Sequence, residues 1–363
     1  MKIDHVHFYT RNAARTRDWF INHVGFKAIG NCISQDTHTE LIALNSAYFA
    51  ISSPLNIASP VAQYLKHHPS GVADLAFRVS NLEEVINRVR SLGLKLLQKI
   101  QVWRSPQGKF KFAQIMGWNN LRHTLIEAQE DLDYCVPIKL QQYENNYNWH
   151  SHINCIDHVV LNVAQSKLDS AVELYQTLFK FRVQQSFQIH TAHSGLASQA
   201  LIDDSGVVQF NINEPTDPKS QIQEFINLNG GSGIQHLALR SPNLIADVAQ
   251  MQQRGLDFLT VPPAYYLQLT HLVNLSPAEQ QAICQQQILV DSDRKAYPVG
   301  NCTGAHSLLM QIFTQPIFEQ PTFFLEFIER RQEAQGFGQG NFQELFAAVE
   351  REQSKRFSDR ERF

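Results

Sequence analysis

Four stretches of this chain share one grammar, and that repetition constrains the fold more than any single motif does. IDHVHFYTRNAARTRDWFINHVGFK, from Ile3, matches the pattern of IDHVVLNVAQSKLDSAVELYQTLFKFR, from Ile156. GVADLAFRVSNLEEVINRVRSLGLKLL, from Gly71, matches GIQHLALRSPNLIADVAQMQQRGLDFL, from Gly233. Each opens with a short apolar run of strand character, followed by a polar turn. A segment with apolar residues three and four apart comes next, as in Val85, Ile86, Val89 and Leu92, or Leu244, Val248 and Met251. That is the spacing of a helix with one buried face, and a glycine turn then leads back to a strand. The pattern predicts an α+β protein of two domains, each a pair of βαβββ modules, starting near Ile3, Gly71, Ile156 and Gly233. The polar, non-periodic YENNYNWHSHIN, residues 143–154, is the expected linker between a first domain, 1–142, and a second, 155–363.

Composition narrows the class of function. A chain of 363 residues, 43% hydrophobic and 18% charged, can fill two ordinary cores. The net charge is −3, and the nearest approach to a basic run is the mixed-sign KRFSDRERF, which argues against a nucleic-acid partner. The five cysteines (Cys32, Cys135, Cys155, Cys284 and Cys302) are scattered and form no C-x-x-C. That pattern speaks for a reducing compartment and against a zinc–thiolate site or a disulfide frame. MKIDHVHFYT lacks the apolar core of a signal peptide, and no apolar run is long enough to span a bilayer. A cytoplasmic location without membrane contact is expected.

Chemistry concentrates in three residues: His158 in IDHVVLNV, His236 in GIQHLALR and Glu326 in TFFLEFIE. Two imidazoles and one carboxylate, without thiolate, form the ligand set of mononuclear non-haem Fe(II) oxygenases, which leaves metal positions open for substrate and O2. One histidine on an apolar strand is more often a packed core residue than a ligand. Glu326 interrupts Phe323, Phe324 and Leu325 before Phe327 and Ile328; it either faces solvent by strand alternation or is a buried carboxylate needing a partner. The three at matching places in paired modules favour a metal. Aligning the modules sets His5 opposite His158, Asp74 opposite His236 and Glu127 opposite Glu326. The first domain would then hold a relic of the site, kept for the fold and empty of metal.

Paired units of this kind resemble the vicinal oxygen chelate superfamily, which implies that each pair of modules forms a curved mixed sheet around a central cavity. Within it, the second half resembles the 4-hydroxyphenylpyruvate dioxygenases in IDHVVLNV, SGLASQAL, NINEP, KSQIQEF, GIQHLALR, LLMQIFTQP, TFFLEFIERR and GFGQGNFQELFAAVEREQ. The resemblance implies one Fe(II) per chain, held by His158, His236 and Glu326. It implies a substrate, 4-hydroxyphenylpyruvate, whose own 2-oxo acid chelates the iron, so that no separate 2-oxoglutarate is needed. The reaction that the resemblance implies is oxidative decarboxylation, ring hydroxylation and side-chain migration, giving homogentisate and CO2 from the substrate and O2. The matched motifs carry Ser198, Asn213, Gln221 and Gln311 over as catalytic residues. They carry Phe313, Phe324, Phe337, Phe342, Asn341, Gln235 and Asn211 over as substrate-binding. Gln235 adjoins His236, and strand alternation would turn it to the opposite face. A homo-oligomer, dimer or tetramer, is expected.

One departure stands out. Where the resembled family commonly has proline two residues before the Asn of INEP, this chain has Asn211. The sister reaction, 4-hydroxymandelate synthesis, uses the same metal and substrate and oxidises the benzylic carbon; it is the first alternative. Rivals of the same fold are an extradiol ring-cleaving dioxygenase, a glyoxalase-type isomerase and a non-enzymatic ligand-binding module. Asn341 and Glu344 form a capping-box pattern ahead of an apolar stripe, Phe342, Leu345, Phe346 and Val349. With Gly336, Gly338 and Gly340 before it, this segment reads as a helix closing over the iron or docked there permanently.

Overall fold

A computed structural model describes residues 1–105, 108–128, 132–144, 151–190, 195–267, 275–292 and 307–341. The first half runs β1 (Lys2–Tyr9), α1 (Ala13–Trp19), β2 (Lys27–Ile33), β3 (Thr37–Leu44), β4 (Ala47–Pro54), α2 (Pro60–Tyr64), β5 (Gly71–Arg78), α3 (Leu82–Ser91), β6 (Leu96–Ser105), β7 (Gly108–Met116), β8 (Arg122–Ala128) and the short β9 (Gln141–Gln142). The second runs β10 (Cys155–Asn162), α4 (Leu168–Phe179), β11 (Arg182–His190), β12 (Gly195–Ile202), β13 (Gln209–Pro215), α5 (Gln221–Asn229), β14 (Gly233–Arg240), α6 (Leu244–Gln253), α7 (Pro263–Leu267), α8 (Pro277–Gln286), β15 (Leu289–Ser292), β16 (Leu308–Phe313) and β17 (Phe324–Arg331). The βαβββ grammar is met in the first three modules.

Each half builds one mixed sheet. The orders are β6-β7-β8-β5-β1-β4-β3-β2-β9 and β11-β12-β13-β10-β14-β17-β16-β15. In both, two modules join through their opening strands, antiparallel β1/β5 and β10/β14. Each opening strand also pairs in parallel with the last strand of its own module, as β10 does with β13 and β14 with β17. Three helices, α1, α3 and α6, start where an asparagine supplies a cap: Asn12, Asn81 and Asn243 each accept a backbone N–H three residues on.

The fourth module departs from the expectation. The return strand foreseen at GLDFL shrinks to a single bridge, Phe258 to Thr314. Pro262 and Pro263 follow and cannot donate to a ladder. The chain instead makes α7 and α8 before β15 takes the missing strand's role. Ser276 and Glu279 form a full capping box on α8.

The largest apolar cluster runs across both halves and includes Phe8, Phe77, Tyr175, Phe179, Leu239 and Phe323. His123 joins the halves by bonding the Leu75 carbonyl (3.1 Å) and the Tyr175 hydroxyl (3.0 Å). In β17, Leu325 and Phe327 face this core, while Phe324, Glu326 and Ile328 face the other side of the sheet and are buried there too. A sheet buried on both faces must hold something on the second one, and that face carries the site. Among the described residues no helix is long and apolar enough to cross a membrane.

Candidate metal centre

His158 on β10, Ala238 on β14 and Glu326 on β17 lie in one transverse row of three adjacent strands. Glu326 and His158 are therefore two strand spacings apart, about 10 Å at the backbone. The methyl of Ala238 between them leaves their side chains room to lean inward. His236, two residues from Ala238 on β14, shares its face. The outcome is compact. Glu326 Oε2 is 3.2 Å from His158 Nε2 and 3.5 Å from His236 Nε2, and the three donor atoms lie within 4.8 Å of one another. All three residues are buried. This resolves the two readings of Glu326 in favour of the buried, partnered carboxylate.

Burial alone would push the Glu326 carboxyl up; the two imidazoles outweigh it and hold the group at about 2. Burial would likewise lower His158, but Glu326 and Asp157 lift it to about 9. His236 stays below its ordinary value because burial outweighs the attraction of Glu326. One carboxylate shared by two imidazoles in a dry site becomes an N2O donor set once a metal displaces the proton that Glu326 and Asp157 hold on His158. With no thiolate in the group among the described residues, it suits a first-row dication of intermediate softness.

Supporting groups fix the donors. His158 Nδ1 is 2.9 Å from Asp157 Oδ1, and Arg330 donates to both oxygens of Asp157, at 2.8 and 2.7 Å. Arg330 also donates to the carbonyls of Ala334 (3.0 Å) and Gly336 (2.7 Å). The other Glu326 oxygen accepts from Gln311 Nε2 at 2.8 Å, and Gln311 Oε1 accepts from Asn341 Nδ2 at 3.0 Å. The Tyr265 hydroxyl lies 3.0 Å from Asn341 Oδ1 and accepts from the Val290 N–H. Such outer partners set ring orientation and tautomer at metal sites. Asp157, Arg330 and Tyr265 were not foreseen from the sequence. The recurrence of Ile-Asp-His at Ile3 and Ile156 was the available signal, because Asp4 repeats the contact with His5 at 2.6 Å.

Two β-bulges explain how neighbours on one strand serve the same site. Between β10 and β14 the register skips Asp157 and then Gln235. The extra residue lets both members of each pair turn toward the site. Alternation had placed Gln235 away from it; Gln235 instead lines the cavity beside His236.

The cavity is further lined by Asn211, Asn213, Gln221, Gln311, Phe313, Phe324 and Phe337, all foreseen. Phe324 stacks on His236 with ring centres 4.7 Å apart, and Phe337 meets His158 edge-on at 5.2 Å. Val160, Phe187, Ile189, Leu196 and Ile222 complete the wall and were missed; as apolar strand and helix residues they carried no signal beyond that of core. Ser198 and Asn341 are buried beside the cavity without lining it. Asn341 is no helix cap: residues 339–341 are already helical, and its side chain is committed to Gln311 and Tyr265. Phe342 and the stripe with Glu344, Leu345, Phe346 and Val349 lie outside the described residues.

The first domain does not repeat the triad. The ladder pairs Asp74 with Arg122 where the second domain pairs His236 with Phe324, so the counterpart of Glu326 is Thr124. Glu127 corresponds to Glu329. Each accepts the first N–H of the helix of its own module at 2.7 Å, from Leu82 and from Leu244, where the helix dipole favours a carboxylate. Asp74 is occupied by Gln114 and by the N–H and hydroxyl of Thr124. The sequence alignment had slipped by three residues there. Among the described residues, His158, His236 and Glu326 form the one group with metal-ligand spacing.

The chain is similar to known proteins along nearly its whole length. Residues 155–272 match the model of the Glyoxalase/Bleomycin resistance protein/Dioxygenase superfamily, and residues 3–146 match that of a Glyoxalase-like domain. The chain is 33% identical to an uncharacterized protein of Synechocystis sp., over 96% of this chain and 97% of that one. It is 31% identical to 4-hydroxyphenylpyruvate dioxygenase of Yarrowia lipolytica, over 97% of this chain and 92% of that one. A mutant of 4-hydroxymandelate synthase from Streptomyces coelicolor superposes with a TM-score of 0.85 at 25% identity, covering 97% of this chain and 98% of that one.

Proposed function

Since the chain belongs to the 4-hydroxyphenylpyruvate dioxygenase family, within the glyoxalase and dioxygenase superfamily, we propose that it converts 4-hydroxyphenylpyruvate and O2 to homogentisate and CO2. The observation that carries this reading is the convergence of His158, His236 and Glu326 in a buried, aromatic-walled cavity. These residues would hold one Fe(II), which when bound supplies O2 activation and chelation of the 2-oxo acid.

The remaining parts follow from the chain's own side chains. Asp157 and Gln311 hold His158 and Glu326 in register, so the donor set needs little rearrangement to bind. Phe313, Phe324 and Phe337 exclude water and flank a planar ring. Gln221, Gln235, Asn211 and Asn213 supply the polar groups that orient it. Gln311 acts on the substrate through Glu326 and Phe337, since its amide donates to the Glu326 carboxylate and to the Phe337 carbonyl.

The likeness to 4-hydroxymandelate synthase favours a second reading, oxidation of the benzylic carbon of the same substrate. One experiment separates the two: anaerobic reconstitution with Fe(II), addition of 4-hydroxyphenylpyruvate and O2, and mass spectrometry of products with CO2 release. Homogentisate equal to CO2 supports the first reading and hydroxymandelate the second. An iron-loaded chain that takes up no O2 refutes both.

A further inference from the structure

One wall of the cavity carries a polar atom that the protein leaves unsatisfied. Asn211 is buried, lines the cavity, and its side-chain carbonyl oxygen has no hydrogen-bond partner. Apart from Nδ1 of His236, it is the only buried polar atom of the described lining in that state. The ladder shows why. Asn211 on β13 stands between Val160 on β10 and Ala200 on β12, and neither side chain can donate. Two residues along, Asn213 stands between Asn162 and Ser198, and its amide donates to Asn162 at 3.3 Å. The amide of Asn213 thus finds a partner in its own row, although Asn162 Nδ2 and Ser198 Oγ beside it do not, whereas the Asn211 carbonyl on the cavity wall has only apolar strand neighbours.

Its position says what it faces. Asn211, Val160 and His236 share a transverse row, so Asn211 lies two strands from the metal-binding imidazole, about 10 Å at the backbone. A 2-oxo acid held at the metal end would bring the far edge of an attached aromatic ring to this wall. A buried carbonyl without a donor is costly, and a ligand that brings an O–H to it removes that cost. A ligand without one leaves it in place.

We infer that Asn211 accepts a hydrogen bond from a ring hydroxyl of the bound aryl 2-oxo acid and is a specificity determinant for hydroxylated over unsubstituted rings. This rests on the reading of the site as one for an aryl 2-oxo acid. A site built to bond a hydroxyl rejects the analogue lacking it far better than an apolar pocket does.

Two near-isosteric variants isolate the hydrogen bond, and both residues suit a strand. Asn211→Thr keeps an acceptor oxygen, whereas Asn211→Val removes it. Full-length, Fe(II)-loaded protein is titrated anaerobically with 4-hydroxyphenylpyruvate and with phenylpyruvate, and kcat/KM is then measured for both in O2. Asn211→Val should lower the preference for the hydroxylated acid about tenfold in both Kd and kcat/KM, equivalent to about 1.4 kcal/mol. The loss should fall on 4-hydroxyphenylpyruvate, with phenylpyruvate bound as well or better. Asn211→Thr should lose less than about threefold by the same comparison. An unchanged preference in Asn211→Val, or equal losses in the two variants, overturns the inference while leaving the activity intact. A wild-type chain that binds neither acid overturns the activity assigned to the site, and the inference with it.

Discussion

Arg330 offers the sharpest test of how the metal centre is held. Its guanidinium makes two charge-assisted bonds to Asp157 and two to the carbonyls of Ala334 and Gly336. The bidentate pair keeps Asp157 ionised far below the usual carboxylate range, against a burial that would raise it. Arg330→Met keeps much of the apolar stem and removes all four bonds. Asp157 is 5% exposed, so a buried carboxylate would be left, among the described residues, with only His158 bonded to it. Breaking one side of such a pair costs about 3–5 kcal/mol. With unfolding entropy of about 2.1 cal/mol/K per residue over 363 residues, Tm should fall by roughly 4–7 °C. His158 also loses the group that orients its ring, which should weaken Fe(II) binding by about 10–100-fold. Adding Asp157→Asn removes the stranded charge while keeping an acceptor for His158 Nδ1. The double variant should therefore recover most of the Tm. Thermal melts of metal-free protein and competitive Fe(II) titration read the two effects separately. Arg330→Met with a Tm within a degree of wild type and unchanged iron affinity would refute the argument, as would a double variant no more stable than the single.

Other perturbations probe neighbouring parts. A Cβ at Gly338, which has φ of +74°, would run into the Gln311 amide, whereas Gly206, at φ +75°, has nothing within 4 Å. Gly206→Ala should cost only the backbone term, about 1–2 kcal/mol, whereas Gly338→Ala should also displace Gln311 and cut kcat by more than tenfold; equal kcat values in the two variants would exclude this role. Phe337 separates the metal cavity from a neighbouring polar one lined by Gln185, Asp291 and Ser292. Phe337→Ala should admit water and let CO2 release outrun ring-oxidised product; tight coupling in this variant would count against the aromatic seal. Burial holds His123 at about 4, despite opposing effects of Asp74 and the Leu75 carbonyl. Its neutral form is the native one, so the stability it provides is present above pH 6.5 and lost as pH falls toward 4, by up to roughly 3 kcal/mol. Denaturation at pH 7, 5 and 4 should show that loss, and it should shrink in His123→Gln; an identical slope there would rule His123 out as the source. Iron should bind at one per chain, and a measured ratio near two would mean that the first domain retains a site.

The fold and the three residues of the candidate metal centre were legible because both rest on short-range rules. Strand and helix periodicity marks the modules, and histidine and glutamate are conspicuous inside runs such as HLALR and FFLEFIE. What escaped depends on relations between strands. Gln235 was turned the wrong way because a bulge cannot be seen in one strand's alternation. It exists only as an extra residue against β10. Glu127 was matched to Glu326 because both follow apolar residues on the last strand of a module; only the pairing of Asp74 with Arg122 reveals that its place is that of Glu329, capping a helix. The return strand at GLDFL was lost to Pro262 and Pro263, whose effect on a ladder depends on whether a neighbour needs their N–H. Asn211 shows the same limit from the other side. Its identity was plain in QFNINEP, but its lack of a partner was not, because that follows from Val160 and Ala200, some fifty and ten residues away. The sequence names the groups a site contains; which of them are left free for a ligand is decided by the register of the sheet.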